Sequence, residues 1–226
     1  MQTNLIDTIF PNYCLLCKRV GECICTTCIR NKIYVNWNTY CCVCNSKVKL
    51  GLIHSECKEQ TYLDGHFFVT SYNEGIKELI MQGKYSFNYT NFEFMGRLMY
   101  KFIKLYRLPP ETIICPIPLS KRKMRVRGFN QSEVLSKQIN SFNTIRLLDK
   151  VKDVKAQATL NGDERRQNLM GSFVMNPKIT IEKSRPVLLI DDVFTTGSTL
   201  NEGAKTLKLS GFKTVYGYTF AKAGKI

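Results

Sequence analysis

The chain has 226 residues, 44% of them apolar and 23% charged, which leaves room for one medium domain and one small one and by itself favours no fold class. No run approaches 18 consecutive apolar residues, which excludes a membrane span, and the first ten residues lack the basic start and apolar stretch of an export signal. The expected location is therefore cytoplasmic, either free or peripheral at the inner face of the membrane.

The charge is less ordinary. Lys and Arg number 33 against 18 Asp and Glu, a net charge of +15, which suits association with polyanions such as nucleic acid or phospholipid headgroups; a merely soluble basic surface is the equal alternative from charge alone. Residues 1–65 carry seven basic and five acidic side chains, whereas residues 76–140 carry twelve and four. The positive field belongs to the larger, downstream part.

Nine of the ten cysteines fall between Cys14 and Cys57. Without an export signal, thiols stay reduced, and reduced thiols in pairs point to metal. Cys14 and Cys17 form one CxxC pair, and Cys25 and Cys28 form a second. Cys41 and Cys44 repeat the spacing, and His54 and Cys57 repeat it with an imidazole in place of one thiol. Two thiolates so spaced take a metal ion in a tight turn, and two such turns complete a tetrahedron. The simplest reading is a double zinc ribbon over residues 1–62 with structural Zn2+, one ion or two. Cys42 competes for the second set, and interleaved pairing of the four knuckles stays open. Cys115 reads as a small buried side chain.

Residues 63–226 alternate strands and helices. HFFVTSY (66–72) reads as a strand, and residues 75–81 and 89–106 have helical spacing, with Phe94, Leu98, Phe102 and Leu105 along one face. Pro109 and Pro110 end that segment. TIICPIP (112–118) reads as a buried strand, followed by a basic stretch and a helix to about residue 139. Residues 150–172 read as a long polar loop. PVLLID is a buried strand, 198–209 a helix and TVYGYTF a last strand. The pattern predicts an α/β fold with a mainly parallel sheet and flanking helices.

The sharpest signal is VLLIDDVFTTGST, residues 187–199. A fully apolar strand delivers Asp191 and Asp192 to its C-terminal end, where ligands of open α/β sheets bind. Neighbouring side chains on a strand point to opposite faces, so both acids reach one ligand only if the strand breaks there. Thr195, Thr196, Gly197, Ser198 and Thr199 then open a helix. Gly197 permits positive φ, and free amides with the positive end of the helix dipole make an anion cradle. Acids beside such a cradle suit a sugar phosphate, with the acids on ribose hydroxyls and the turn on the 5′-phosphate.

This segment closely resembles the phosphoribosyl-diphosphate signature of type I phosphoribosyltransferases. Pro116, Pro118 and Leu119, followed by Arg122, Arg125 and Arg127 and then Gly128, Phe129, Asn130 and Gln131, resemble the PxPL…RGFNQ block of the ComF family. Gln157, Leu160, Arg165, Arg166, Asn168, Gly171 and Phe173 resemble that family's Q…L…RRxN…GxF loop. With the cysteine pairs, the resemblance spans nearly the whole chain. It implies a type I phosphoribosyltransferase-like fold behind the zinc ribbon. It further implies Asp191 and Asp192 as the catalytic or ribose-binding acids, and Arg122, Arg125, Arg127, Arg165 and Arg166 on a diphosphate or a nucleic-acid backbone. Phosphoribosyl diphosphate or a similar sugar phosphate, with Mg2+, is the implied ligand. Where relatives often have a Lys-Tyr-x-Gly turn, this chain has Lys84, Tyr85, Ser86, Phe87 and Asn88.

The family is associated with natural transformation, so the resemblance implies a competence protein that handles or takes up single-stranded DNA, with other DNA-uptake proteins as partners. The alternative is an active phosphoribosyltransferase with an unidentified acceptor. Against it, no base-recognition element and no general base is recognisable. Tyr85, Phe87, Tyr89, Phe92 and Phe129 lie near basic residues and would stack on unpaired bases, although the helical spacing of Phe92 and its neighbours favours core.

Overall fold

The computed structural model describes residues 13–22, 24–33, 39–85, 89–140, 143–151 and 170–224. Helix α1 (Thr26–Lys32) lies in the cysteine-rich part. There follow β1 (Gly65–Ser71), α2 (Glu74–Tyr85), α3 (Thr90–Ile103), β2 (Ile113–Pro116), α4 (Lys121–Arg127), α5 (Gln131–Asn140), β3 (Leu148–Lys150), β4 (Phe173–Met175), β5 (Val187–Phe194), α6 (Ser198–Leu209) and β6 (Val215–Lys222). The main sheet has the order β1-β6-β5-β2, and every neighbouring pair in it is parallel. β3 and β4 form a separate antiparallel pair at the two ends of the long polar loop, whose residues 152–169 lie outside the described residues.

Strand alternation divides the core into two layers. Leu188 and Ile190 of β5 face Ile76, Leu79, Met95, Met99 and Leu135 from α2, α3 and α5. Val187 and Leu189 face Leu200, Ala204 and Leu207 of α6, with Leu148 and Phe173 beside them. With helices on both faces, β5 and β6 can be apolar along nearly their whole length, as the near-complete burial of 187–190 and 217–221 shows. Cys115 is fully enclosed on the α6 side, as expected.

Two helix expectations need correction. The inward face of α3 is Phe92, Met95, Gly96 and Met99; Phe94, Leu98 and Phe102 sit at its margin, and Leu105 is 52% exposed. The cause is Gly96, where a β-carbon would lie 2.7 Å from Gln138: α5 packs directly on this glycine and rotates its neighbours inward. Helix α2 also runs past residue 81, to Tyr85. Gly83 makes room for the Phe92 ring, 2.7 Å from where its β-carbon would be. That extra turn carries Lys84.

The cysteine-rich part contains two copies of one turn. Tyr13 bridges Val20 and Tyr40 bridges Lys47; in each copy the first cysteine N–H donates across the turn, to Arg19 O at 2.7 Å and to Ser46 O at 2.9 Å. Lys18 and Asn45 hold matching left-handed positions, with φ of 62° and 60°. The copies are anchored differently. Cys14, Leu16, Ile24, Cys28 and Ile33 belong to the α2/α3/α5 core layer, whereas Cys41, Ile53 and Cys57 form a small cluster of their own.

Candidate functional site

The thiols assemble without interleaving. The ligand atoms of Cys14, Cys17, Cys25 and Cys28 all lie within 4.8 Å of one another, and those of Cys41, Cys44, His54 and Cys57 do the same. Cys17 Sγ is 3.6 Å from Cys25 Sγ, and Cys44 Sγ is 3.3 Å from His54 Nδ1. Tetrahedral zinc with sulfur ligands sets edges of roughly 3.8 Å, slightly less to nitrogen, so both sets fit structural zinc. The second pair of each set stands at a helix start: Cys25 precedes α1, and His54 precedes the 3-10 turn Ser55–Gln60.

Crowding makes the thiols compete for charge. Burial first, then the neighbouring cysteines, push Cys28 up to about 12. Burial also raises Cys14, but the N–H groups of Cys25, Leu16 and Cys17 outweigh it and bring that thiol down to about 6. A bound dication would relieve that conflict, because it favours the thiolate at every position. Cys42 is not part of either set, and burial pushes its thiol up to about 12.

Both acids stand inside β5, which continues to Phe194; the strand does not break at them. Asp192 has the parity of Leu188 and Ile190 and turns toward α2 and α5, where it is 5% exposed. Its Oδ2 lies 2.5 Å from Lys84 Nζ, and its Oδ1 accepts from Gln131 Nε2 at 3.3 Å. Asp191 has the opposite parity, but its carboxylate folds back. Oδ1 accepts both from the Asp192 N–H at 2.9 Å and from Ser132 Oγ at 3.1 Å. The two acids thus meet consecutive residues at the start of α5 by a side-chain turn and not by a break in the strand.

The environment separates their protonation. Burial, then the charge of Asp192, pushes Asp191 up to about 7. Burial also disfavours ionised Asp192, but Lys84, Asp191 and Gln131 outweigh it and hold that carboxyl below its ordinary value. Lys84 is itself held above its ordinary value, because the attraction of Asp192 exceeds the cost of burial.

The 195–199 turn forms as expected at the start of α6. Gly197 has φ of 74°, and a β-carbon there would lie 2.3 Å from the Phe194 ring. That ring rests on buried His66, with centroids 4.1 Å apart. Thr219 Oγ1 donates to Ala221 O, which leaves His66 Nε2 to donate to Thr219 Oγ1 at 3.1 Å; burial, then the charge of Lys222, pushes His66 down to about 3. Thr196 Oγ1 accepts from the Ser198 N–H at 3.4 Å and lies 2.7 Å from Ser198 Oγ. Asp191 shares a small cleft with Val193, Phe194, Thr195, Gly197, Ser198 and Thr199; Asp192 does not line it.

The predicted cations part company. Arg127 NH1 donates to Gln131 Oε1 at 2.5 Å and so joins the network around Asp192. Arg122 and Arg125 are exposed on the outside of α4. Arg165 and Arg166 lie outside the described residues. Sequence reasoning did not single out Lys84, Gln131 and Ser132 as site residues. The only signal was that Lys84 and Gln131 fall in the Lys84-Tyr85 and RGFNQ blocks and that Ser132 follows the second. Of the aromatics, Phe92 is core, Tyr85 and Tyr89 are exposed, and Phe129 lies half-buried against Tyr89 and Phe92; Phe87 falls outside the described residues.

No family model matches the chain. Competence protein F of Haemophilus influenzae is 30% identical over 194 residues, covering 81% of this chain and 85% of the relative. Competence protein ComFC of Streptococcus pneumoniae is 28% identical over 205 residues, covering 91% and 83%. DNA utilization protein YhgH of Escherichia coli is 34% identical over 110 residues, covering 47% of each chain. With 30% identity across more than four-fifths of both chains, and with two cysteine-rich knuckles leading into a parallel α/β sheet, this protein belongs to the ComF family.

Proposed function

We propose that this chain is a competence protein that handles single-stranded DNA during uptake, with a ribose-phosphate cradle at the end of β5 and structural zinc in both cysteine-rich sets. The observation that carries the reading is the meeting of Asp191 with the 195–199 turn in one cleft, at the C-terminal end of a central parallel strand. Carboxylates repel a phosphate but accept from sugar hydroxyls, so acid and anion cradle together suit a sugar phosphate better than either ligand class alone. The names of the relatives, competence and DNA utilization, support the wider role. Exposed Tyr85 and Tyr89 beside α4 offer stacking surface for unpaired bases. No described helix is long and apolar enough to cross a membrane.

A second reading, a phosphoribosyltransferase, is favoured by the basic cluster on α4 next to the acids, which would face the diphosphate of phosphoribosyl diphosphate. Mg2+ would then ride on that diphosphate and neutralise the leaving group. Two measurements decide. Calorimetry with ribose 5-phosphate should give binding that Asp191→Asn/Asp192→Asn abolishes while zinc content stays unchanged; retained binding overturns the site. Diphosphate release on incubation with phosphoribosyl diphosphate, Mg2+ and nucleobases would favour the transferase, and salt-sensitive binding of single-stranded DNA without it favours the DNA-handling reading.

A further inference from the structure

We infer that a DNA strand continues past the 195–199 turn into a second cavity, which takes the unpaired base on the 5′ side of the phosphate held at the turn. This rests on the single-stranded DNA reading above and names the path of the strand at that site. A cavity of about 480 Å3 lies between the second knuckle, the segment that follows it and the first turns of α6, within the roughly 300–1,000 Å3 of small-ligand sites. Neither Asp191 nor Asp192 lines it. It meets the acid-lined cleft at the turn itself, where Phe194, Gly197 and Ser198 border both. Free ribose 5-phosphate ends at its phosphate and leaves this cavity unused. In a strand the same phosphate is esterified to the preceding sugar, so the chain leaves the cleft at the turn, and the cavity receives the preceding base.

The walls fit a base better than another phosphate. Val43, Leu63 and Phe194 give apolar surface, and Tyr62, 43% exposed, adds an aromatic ring. Tyr62 is held by its backbone: its N–H donates to Asn201 Oδ1 of α6 at 2.7 Å, and Thr61 Oγ1 donates to the same oxygen at 2.9 Å. An aromatic face placed in this way stacks on any unpaired base. Glu202, which also lines the cavity, is 9% exposed and accepts from the Gly171 N–H through Oε1 at 2.6 Å. Its carboxylate repels a phosphate but accepts from the N–H groups on the edge of a base. Lys205 lines the same cavity with Nζ 5.8 Å from the centroid of the Tyr62 ring, and offers a cation to the phosphate upstream of that base.

The test uses the full zinc-loaded chain and calorimetric titration with three ligands: the thymidine dinucleotide TpT, its analogue lacking the 5′ base, and ribose 5-phosphate. The parent should bind the dinucleotide about tenfold more tightly than the analogue, the worth of one stacked base. Tyr62→Ala should remove that difference and leave the affinities for the analogue and for ribose 5-phosphate unchanged. Tyr62→Phe, which keeps the ring, should bind as the parent does. If the parent binds dinucleotide and analogue equally, or if Tyr62→Ala keeps the difference or weakens all three ligands alike, the cavity holds no base and the inference falls. A parent that binds ribose 5-phosphate but neither dinucleotide nor analogue takes only free monoesters at the turn; this overturns the inference and leaves the sugar-phosphate cradle standing. A parent that binds none of the three overturns the cradle itself.

Discussion

Asp191 and Asp192 are chemically identical neighbours that the fold drives apart. Asp191 is pushed up to about 7 from an ordinary value of 3.8, by burial and then by the charge of Asp192. Between those values the folded chain keeps a proton that the unfolded chain has released, so this group's effect is that stability falls as pH rises through the window. Asp192 behaves in the opposite sense. Its carboxyl is lowered, so its stabilisation is present above the ordinary value and is lost only as pH falls through the lowered one. Asn at position 191 keeps an acceptor for Ser132 Oγ and for the Asp192 N–H, but it cannot titrate. Asp191→Asn should therefore show a flatter thermal midpoint between about pH 5 and about pH 8, and a higher midpoint at the alkaline end. Thiol titration is common to both proteins and cancels in the comparison. Equal pH profiles would mean that Asp191 is ionised throughout.

Among the elements, the two cysteine-rich knuckles share a turn but not a role in stability. The first knuckle and α1 sit in the same apolar layer as α2, α3 and α5, and Gln82 of α2 donates to Leu15 O at 3.4 Å. The second knuckle meets two neighbouring strands of the sheet, through the bridge of Leu52 to Gly65 of β1 and through Lys222 Nζ of β6, which donates to Asn45 Oδ1 at 2.7 Å. Cys14→Ser should thus release one metal and lower the midpoint of the whole chain. Cys41→Ser should also release one metal, but with a smaller fall in midpoint and early proteolysis confined to residues 39–60. Metal analysis and scanning calorimetry check both, and equal losses would refute the asymmetry. The ligand sets were legible because CxxC spacing is local chemistry. The strands were legible because apolar runs such as 187–190 have no other stable place than the interior of a sheet. Lys84 was not legible: the helical spacing is read only to residue 81, and the packing of the Phe92 ring on Gly83 that accompanies the extra turn is a long-range contact of the fold. The parity of the acids was equally hidden, since Asp191 reaches Ser132 by a contact between positions 59 apart in the chain that no local pattern encodes.

For the whole molecule, the question is where a net charge of +15 meets its partner. Helix α4 divides its cations. Lys123 and Arg127 are half-buried toward the acids, whereas Lys121, Arg122 and Arg125 are exposed. Burial, followed by Arg127 and Lys84, depresses Lys123, so the inner side already carries as much positive charge as Asp191 and Asp192 can offset. The outer three have no acidic partner among the described residues and remain available to a phosphate backbone; Tyr85 and Tyr89 are exposed as well. Each phosphate neutralised on a single strand contributes about 0.7 to the slope of log affinity against log salt. Replacing Lys121, Arg122 and Arg125 together by Ala should lower that slope by about 2 for an oligothymidylate, with ribose 5-phosphate affinity unchanged. An unchanged slope would move the DNA path off α4. A parallel loss of sugar-phosphate binding would show instead that the outer cations belong to the cradle, and that one field serves both ligands.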